Sequence, residues 1–132
     1  MNIDELINKS IVTVEMDDSL RTIKEIFDNA RFHHLLVVDS GKLFGIISDR
    51  DLLKVLSPTA GTDFETTTDL EILNRRAHQI LTRKPITLSE KSDTHEAVDI
   101  FINNNVSCIP VINEEHEPIG ILSWRDLLKA IK

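Results

Sequence analysis

Residues 45 to 54 read GIISDRDLLK and residues 120 to 129 read GILSWRDLLK, identical at eight of ten positions. The match extends upstream. Thr13 of IVTV faces Thr87 of PITL, Ile26 and Phe27 face Ile100 and Phe101, and Val37 faces Val111, with one residue inserted in the turn that follows. An internal repeat constrains architecture more tightly than local propensity does, because each copy is one supersecondary unit that must bury its apolar face against a neighbour.

Each copy carries the same sequence of periodicities. A short apolar run, Ile11 to Val14 or Ile86 to Leu88, precedes a polar cluster. Apolar residues at helical spacing follow: Leu20, Ile23, Ile26, Phe27 and Ala30 in the first copy, with Ala97, Ile100 and Phe101, then Asn104, in the second. Two apolar runs then flank turn residues. Leu35 to Val38 and Leu43 to Ile47 enclose Asp39, Ser40 and Gly41; Ile109 to Ile112 and Ile119 to Leu122 enclose Asn113 and Pro118. A short helix after Ser48 or Ser123 closes each copy. The order β, α, β, β, α therefore occurs twice and predicts an α/β (α+β) fold: two tandem βαββα repeats packed about a pseudo-twofold axis, with equivalent clefts at the seam. The boundaries expected are a first repeat with its N-terminal lead-in helix at 1–56, a linker at 57–69, and a second repeat with its lead-in helix at 70–132. The linker, SPTAGTDFETTTD, has little capacity for a core. A copy alone would bury only a thin core, which is why the two are expected to pack together.

Composition excludes several function classes. A net charge of -7 disfavours a nucleic-acid binder, which needs a basic face to displace counterions. No run approaches a membrane span, and the opening MNIDELIN is acidic where a secretory signal is basic and then apolar. Cys108 is the only cysteine, which rules out an intrachain disulfide and fits a reducing cytoplasm. His33, His34, His78, His95 and His116 lack metal-ligand spacing, so no metal site is expected. No P-loop, Rossmann fingerprint, G-x-S-x-G elbow or H-E-x-x-H is present, and no enzymatic activity is expected.

The strings Gly-Ile-Ile-Ser-Asp-Arg-Asp at 45–51 and Gly-Ile-Leu-Ser-Trp-Arg-Asp at 120–126 admit two readings. Ser48 with Asp51, and Ser123 with Asp126, have the spacing of a helix capping box. A strand ending at a helix start also offers unpaired N–H groups to a polar ligand, and a carboxylate there can accept both hydroxyls of a ribose. On this second reading Gly45 and Gly120 let the backbone run close beneath a base, and Arg50 and Arg125 reach a phosphate with a forked donor.

The pattern T-V, amphipathic helix, H-L-L-V-V-D, G-I-I-S-D-R-D-L resembles a cystathionine β-synthase (CBS) repeat. C-I-P-V-I-N with G-I-L-S-W-R-D-L resembles its partner. The resemblance implies a regulatory module that binds an adenine nucleotide and requires no cofactor. It implies that the aspartate holds the ribose, that the serine and first-strand threonine line the adenosine or phosphate region, and that residues just before the second strand touch phosphates. One cleft would then use Thr13, His33, His34, Ser48, Arg50 and Asp51. The other would use Thr87, Ser107, Cys108, Ser123, Arg125 and Asp126. Leu36 stands where the family often has proline, as the second copy does at Pro110, and Trp124 replaces Asp49, so the clefts are expected to differ. Alternatives are S-adenosylmethionine as the ligand, or a ligand-free scaffold. Leu52, Leu53, Val55 and Leu56 form an apolar band too wide for one inward stripe. A homodimer forming a flat disc of four repeats is therefore expected, with a separate effector protein as the readout.

Overall fold

The structure, a computed structural model, describes residues 2–30 and 32–131. Its elements are β1 (Thr13–Glu15), α1 (Leu20–Asn29), β2 (His34–Asp39), β3 (Lys42–Ser48), α2 (Asp49–Leu53), α3 (Thr67–Leu73), β4 (Thr82–Arg83), β5 (Leu88–Ser89), α4 (Thr94–Asn103), β6 (Cys108–Ile112), β7 (Pro118–Ser123) and α5 (Trp124–Ile131). Single 3-10 turns lie at Ile3–Glu5 and Ala77–Gln79. The expected β, α, β, β, α order is present in both copies.

The polar clusters before the amphipathic helices are their caps. Ser19 accepts a hydrogen bond from the Thr22 amide at α1, and Asp93 accepts one from the Glu96 amide at α4. The strands form two sheets, one ordered β1-β2-β3-β4 and the other β5-β6-β7. β1 runs parallel to β2 and β5 parallel to β6, whereas β6 and β7 are antiparallel. Leu35, Leu36, Val37 and Val38 are all buried, as are Cys108 to Val111. A strand with neighbours on both edges and cover on both faces reads as a continuous apolar run and does not alternate. β1 starts at Thr13 opposite Leu36, but β5 starts only at Leu88 opposite Val111. The position matching Leu36 is Pro110, which brings no N–H to a ladder, and Thr87 consequently lies outside the strand.

The chain divides into two compact units, and neither is a contiguous copy. One comprises Met1–Val12, Ser40–Leu43 and Lys84–Lys132; the other comprises Thr13–Asp39 and Phe44–Arg83. The copies are units of sequence, and each lead-in belongs in space to the other copy. Ile3 and Ile7 are buried with Leu88, Ala97, Ile109, Val111, Leu122 and Leu127 in the core of the second copy. Asn8 and Ile121 exchange both backbone bonds, at 2.8 and 3.0 Å. In the other unit, β4 pairs antiparallel with β3, Gly45 opposite Arg83 and Ile46 opposite Thr82, and Arg83 lies over the Phe44 ring at 5.3 Å. Ser19 bridges to Arg76, and the Ala77 amide donates to the Asp18 carbonyl.

This exchange corrects the reading of the two glycines. A Cβ on Gly45 would lie 2.7 Å from the Thr82 carbonyl oxygen and 2.8 Å from Leu81 Cδ1. A Cβ on Gly120 would lie 2.8 Å from Ile7 Cδ1 and 3.0 Å from the Asn8 carbonyl oxygen. The space that glycine leaves is thus filled by the exchanged lead-in, not by a base.

The segment at 57–69 has local order of its own. Ala60 and Asp69 are buried, and Asp69 gathers Ser57 Oγ, Thr59 Oγ1 and the Thr66 amide on its carboxylate. Those three donors hold the Asp69 carboxyl down at about 2, below its ordinary 3.8, with the Ser57 hydroxyl contributing most and Thr59 next. The lead-in helix expected before the second repeat is α3 followed by a separate 3-10 turn.

Candidate functional site: one corner in each copy

The sequence-expected residues gather at one end of each sheet. Parallel pairing places the start of β1 beside the start of β2, so Thr13 and His34 share an end. The chain leaves β3 at the same end, because the Asp49 amide donates to the His33 carbonyl at 2.9 Å. In the second copy Cys108 pairs directly with Ser123, Thr87 precedes β5, and the Trp124 amide lies 3.4 Å from the Ser107 carbonyl. One backbone bond thus ties the pre-strand residue to the first helical residue in both copies. The chemistry hung on that bond differs.

At the first corner the capping box is complete. The Ser48 amide donates to Asp51 Oδ2 at 2.9 Å, and the Asp51 amide donates to Ser48 Oγ at 3.0 Å. The second corner repeats it, with Ser123 N to Asp126 Oδ2 at 2.9 Å and Asp126 N to Ser123 Oγ at 3.2 Å. The Ser123 hydroxyl also donates to Asp126 Oδ2, at 2.9 Å. Both aspartates are half-buried. In each, the bonds fall on Oδ2, and among the described residues Oδ1 takes none. The capping role and a free acceptor therefore coexist on one carboxylate.

Sequence reasoning missed one pairing. His33 Nδ1 lies 2.8 Å from Asp49 Oδ2, with the imidazole largely exposed and the carboxylate half-buried. Asp49 is the position that becomes Trp124 in the second copy, and His33 becomes Ser107, so the difference was written in the sequence; the contact was not. Burial holds the His34 imidazole below its ordinary 6.5, as does the neighbouring His33 ring to a lesser degree, while the Asp49 and Asp51 carboxylates oppose this. Cys108 is buried, and burial pushes its thiol up to about 12, so it stays protonated and unreactive at neutral pH. Arg50 and Arg125 are exposed on the first turns of α2 and α5, Thr13 is exposed, and Thr87 is half-buried. Among the described residues no group of acidic, histidine or cysteine side chains could hold a metal ion, and no helix is long and apolar enough to cross a membrane.

Comparison with known proteins places this geometry in a family. The CBS domain model matches residues 3–58 and again 77–132. Protein MJ1225 of Methanocaldococcus jannaschii is 30% identical over 128 residues, spanning 96% of this chain and 46% of that protein. A CBS domain-containing protein of Dictyostelium discoideum, DDB_G0289609, is 30% identical over 131 residues, spanning 98% of this chain and 90% of that protein. The chain thus covers less than half of one relative and nearly all of the other. The crystal structure of MJ1225 gives a TM-score of 0.85 at 26% identity, covering 99% of this chain and 50% of that one. CBSX2 in complex with AMP gives 0.80 at 19% identity, covering 98% and 95%. The CBS domain pair of protein MJ0100, in complex with 5'-methylthioadenosine and S-adenosyl-L-methionine, gives 0.77 at 24% identity, covering 99% and 95%. With two matched repeats, the β, α, β, β, α order in both copies and a paired serine–aspartate corner in each, the chain belongs to the CBS domain family.

Proposed function

We propose that this protein is a regulatory module that binds an adenosine-containing ligand, an adenine nucleotide in the first instance, at the corners built around Asp51 and Asp126. The observation that carries the reading is the state of those two carboxylates. Each is half-buried and fixed through Oδ2 by its own capping box, with Oδ1 left to accept. A rigid carboxylate with a spare acceptor suits a vicinal diol, since a charged acceptor strengthens each hydroxyl bond it receives. Support also comes from solved CBS pairs that hold AMP, or 5'-methylthioadenosine and S-adenosyl-L-methionine. Thr13, Ser48 and Arg50, with His33 and His34, would complete the first site; Thr87, Ser107, Cys108, Ser123 and Arg125 would complete the second.

Calorimetric titration with AMP, ADP, ATP and S-adenosylmethionine tests this. Asp51→Asn with Asp126→Asn keeps a capping acceptor and removes the charge, and is expected to weaken binding by about tenfold or more, the worth of one charged hydrogen bond. A second reading has its own observation: the capping boxes already account for both serines and both aspartates, as a ligand-free scaffold would require. No heat with any adenosyl compound would establish that reading in place of the first.

Assembly belongs to the same proposal. Ile102, Leu128 and Ile131, on the contacting helices α4 and α5, are between 54% and 77% exposed, outward apolar side chains that a closed twofold homodimer would cover. Ligand entry would then act on a separate effector protein by shifting the balance between two arrangements, limited by the ligand's differential affinity for them.

A further inference from the structure

The two corners share their backbone and differ in what they can titrate. The first holds His33 and His34 with Asp49, Arg50 and Asp51; the second holds Ser107 and Cys108 with Trp124, Arg125 and Asp126. Histidine is the side chain whose charge changes between about pH 5 and 8. Acidification therefore adds up to two positive charges to the first corner, one on each imidazole. It adds none to the second, where the Cys108 thiol stays neutral. No other described group cancels this change. From α1, Lys24 and Asp28 line the cavity of about 250 Å³ that His33 and Asp49 also line, but they are paired with each other at 2.6 Å. The flanking strands bring Thr13 and Ser48, both uncharged. Asp49 is the group that an incoming anion must displace from His33, since its carboxylate already sits against the ring.

We propose that protons decide which copy accepts an anionic ligand: acid conditions convert the His33–His34 corner into an anion site, while the second corner is indifferent to pH. The proposal rests on the adenosyl-ligand reading only in its choice of natural anion, a ligand phosphate. Burial opposes the charged form of the His34 imidazole, so it takes up its proton at a lower pH than an ordinary histidine.

The test uses the full chain, with the five histidine ring signals assigned by single His→Gln variants and followed by NMR. Sulfate serves as a probe whose own charge does not change between pH 5 and pH 8. At pH 5 sulfate is expected to move the His33 ring signal, and His34 with it, while His78, His95 and His116 stay in place; at pH 8 none moves. Asp49→Asn should then bind sulfate up to about fivefold more tightly at pH 5, the worth of an exposed charge pair. The proposal is overturned if no ring moves at pH 5, if all five move alike, or if His33 responds equally at both pH values. AMP and adenosine, run beside sulfate, separate the two readings. Adenosyl binding with rings indifferent to sulfate sinks the proton proposal alone. Rings that answer to sulfate while no adenosyl compound binds sink the ligand reading alone.

Discussion

Asp69 shows how much one polar side chain can organise. Three donors converge on it, from Ser57, Thr59 and Thr66, and together they close the segment between the two copies. Because its carboxyl is depressed in the folded chain, its contribution is complete above the ordinary value of 3.8 and is lost as pH falls through about 2. Urea midpoints measured from pH 5 to pH 2 are expected to fall more steeply for the wild type than for Asp69→Asn, the gap between the two curves narrowing toward the acid end. Gly45 and Gly120 offer a second residue-scale contrast. The added methyl of Gly45→Ala meets a backbone oxygen at 2.7 Å, which cannot swing aside, and a cost of about 1–3 kcal/mol is expected. In Gly120→Ala the nearest atom is the end of the Ile7 side chain, which can rotate, so chemical denaturation should rank this variant as the milder. For the capping aspartates, Asp51→Ala is expected to cost about 1 kcal/mol without ligand. The apo melting point must accompany every binding measurement on that variant.

At the scale of elements, the lead-ins carry more of the fold than their length suggests. Ile3 is fully buried in the core of the second copy. Ile3→Ala should therefore cost about 2–5 kcal/mol, and hydrogen exchange should show β7 opening before β3, although β3 is nearer in sequence. Sequence reasoning could not have placed that effect. The repeat, the apolar runs of β2 and β6 and the α1 and α4 stripes were all legible, since burial on one or both faces imposes a period on the residues themselves. The partner of a lead-in leaves no such period, and Ile3 and Ala77 look the same whichever copy they join. β4 was invisible for a related reason: Thr82 and Arg83 are exposed polar residues made into a strand only by the edge of β3. At the corners, the residue types and the Ser–x–x–Asp spacing were readable. The His33–Asp49 contact required knowing that the chain leaves β3 where β2 begins.

On the scale of the whole molecule, neither compact unit is drawn from one uninterrupted stretch of chain. Stability should then be shared. Trp124 fluorescence, which reports on one unit, and hydrogen exchange at β2, which reports on the other, are expected to give a single coincident unfolding transition. Cutting at Gly61, in the exposed part of the segment between the copies, would yield two fragments, each with a lead-in that packs on the other and without the one it needs. Neither fragment should hold its fold alone, and mixing them should restore the native spectrum.

The exchange also bears on how a chain of this kind could arise. A solitary ancestor with one copy and one lead-in would have had to lend its first residues to another molecule and accept that molecule's in return. Joining two such genes end to end would then have preserved contacts already in place, turning a loan between neighbours into a feature of one polypeptide.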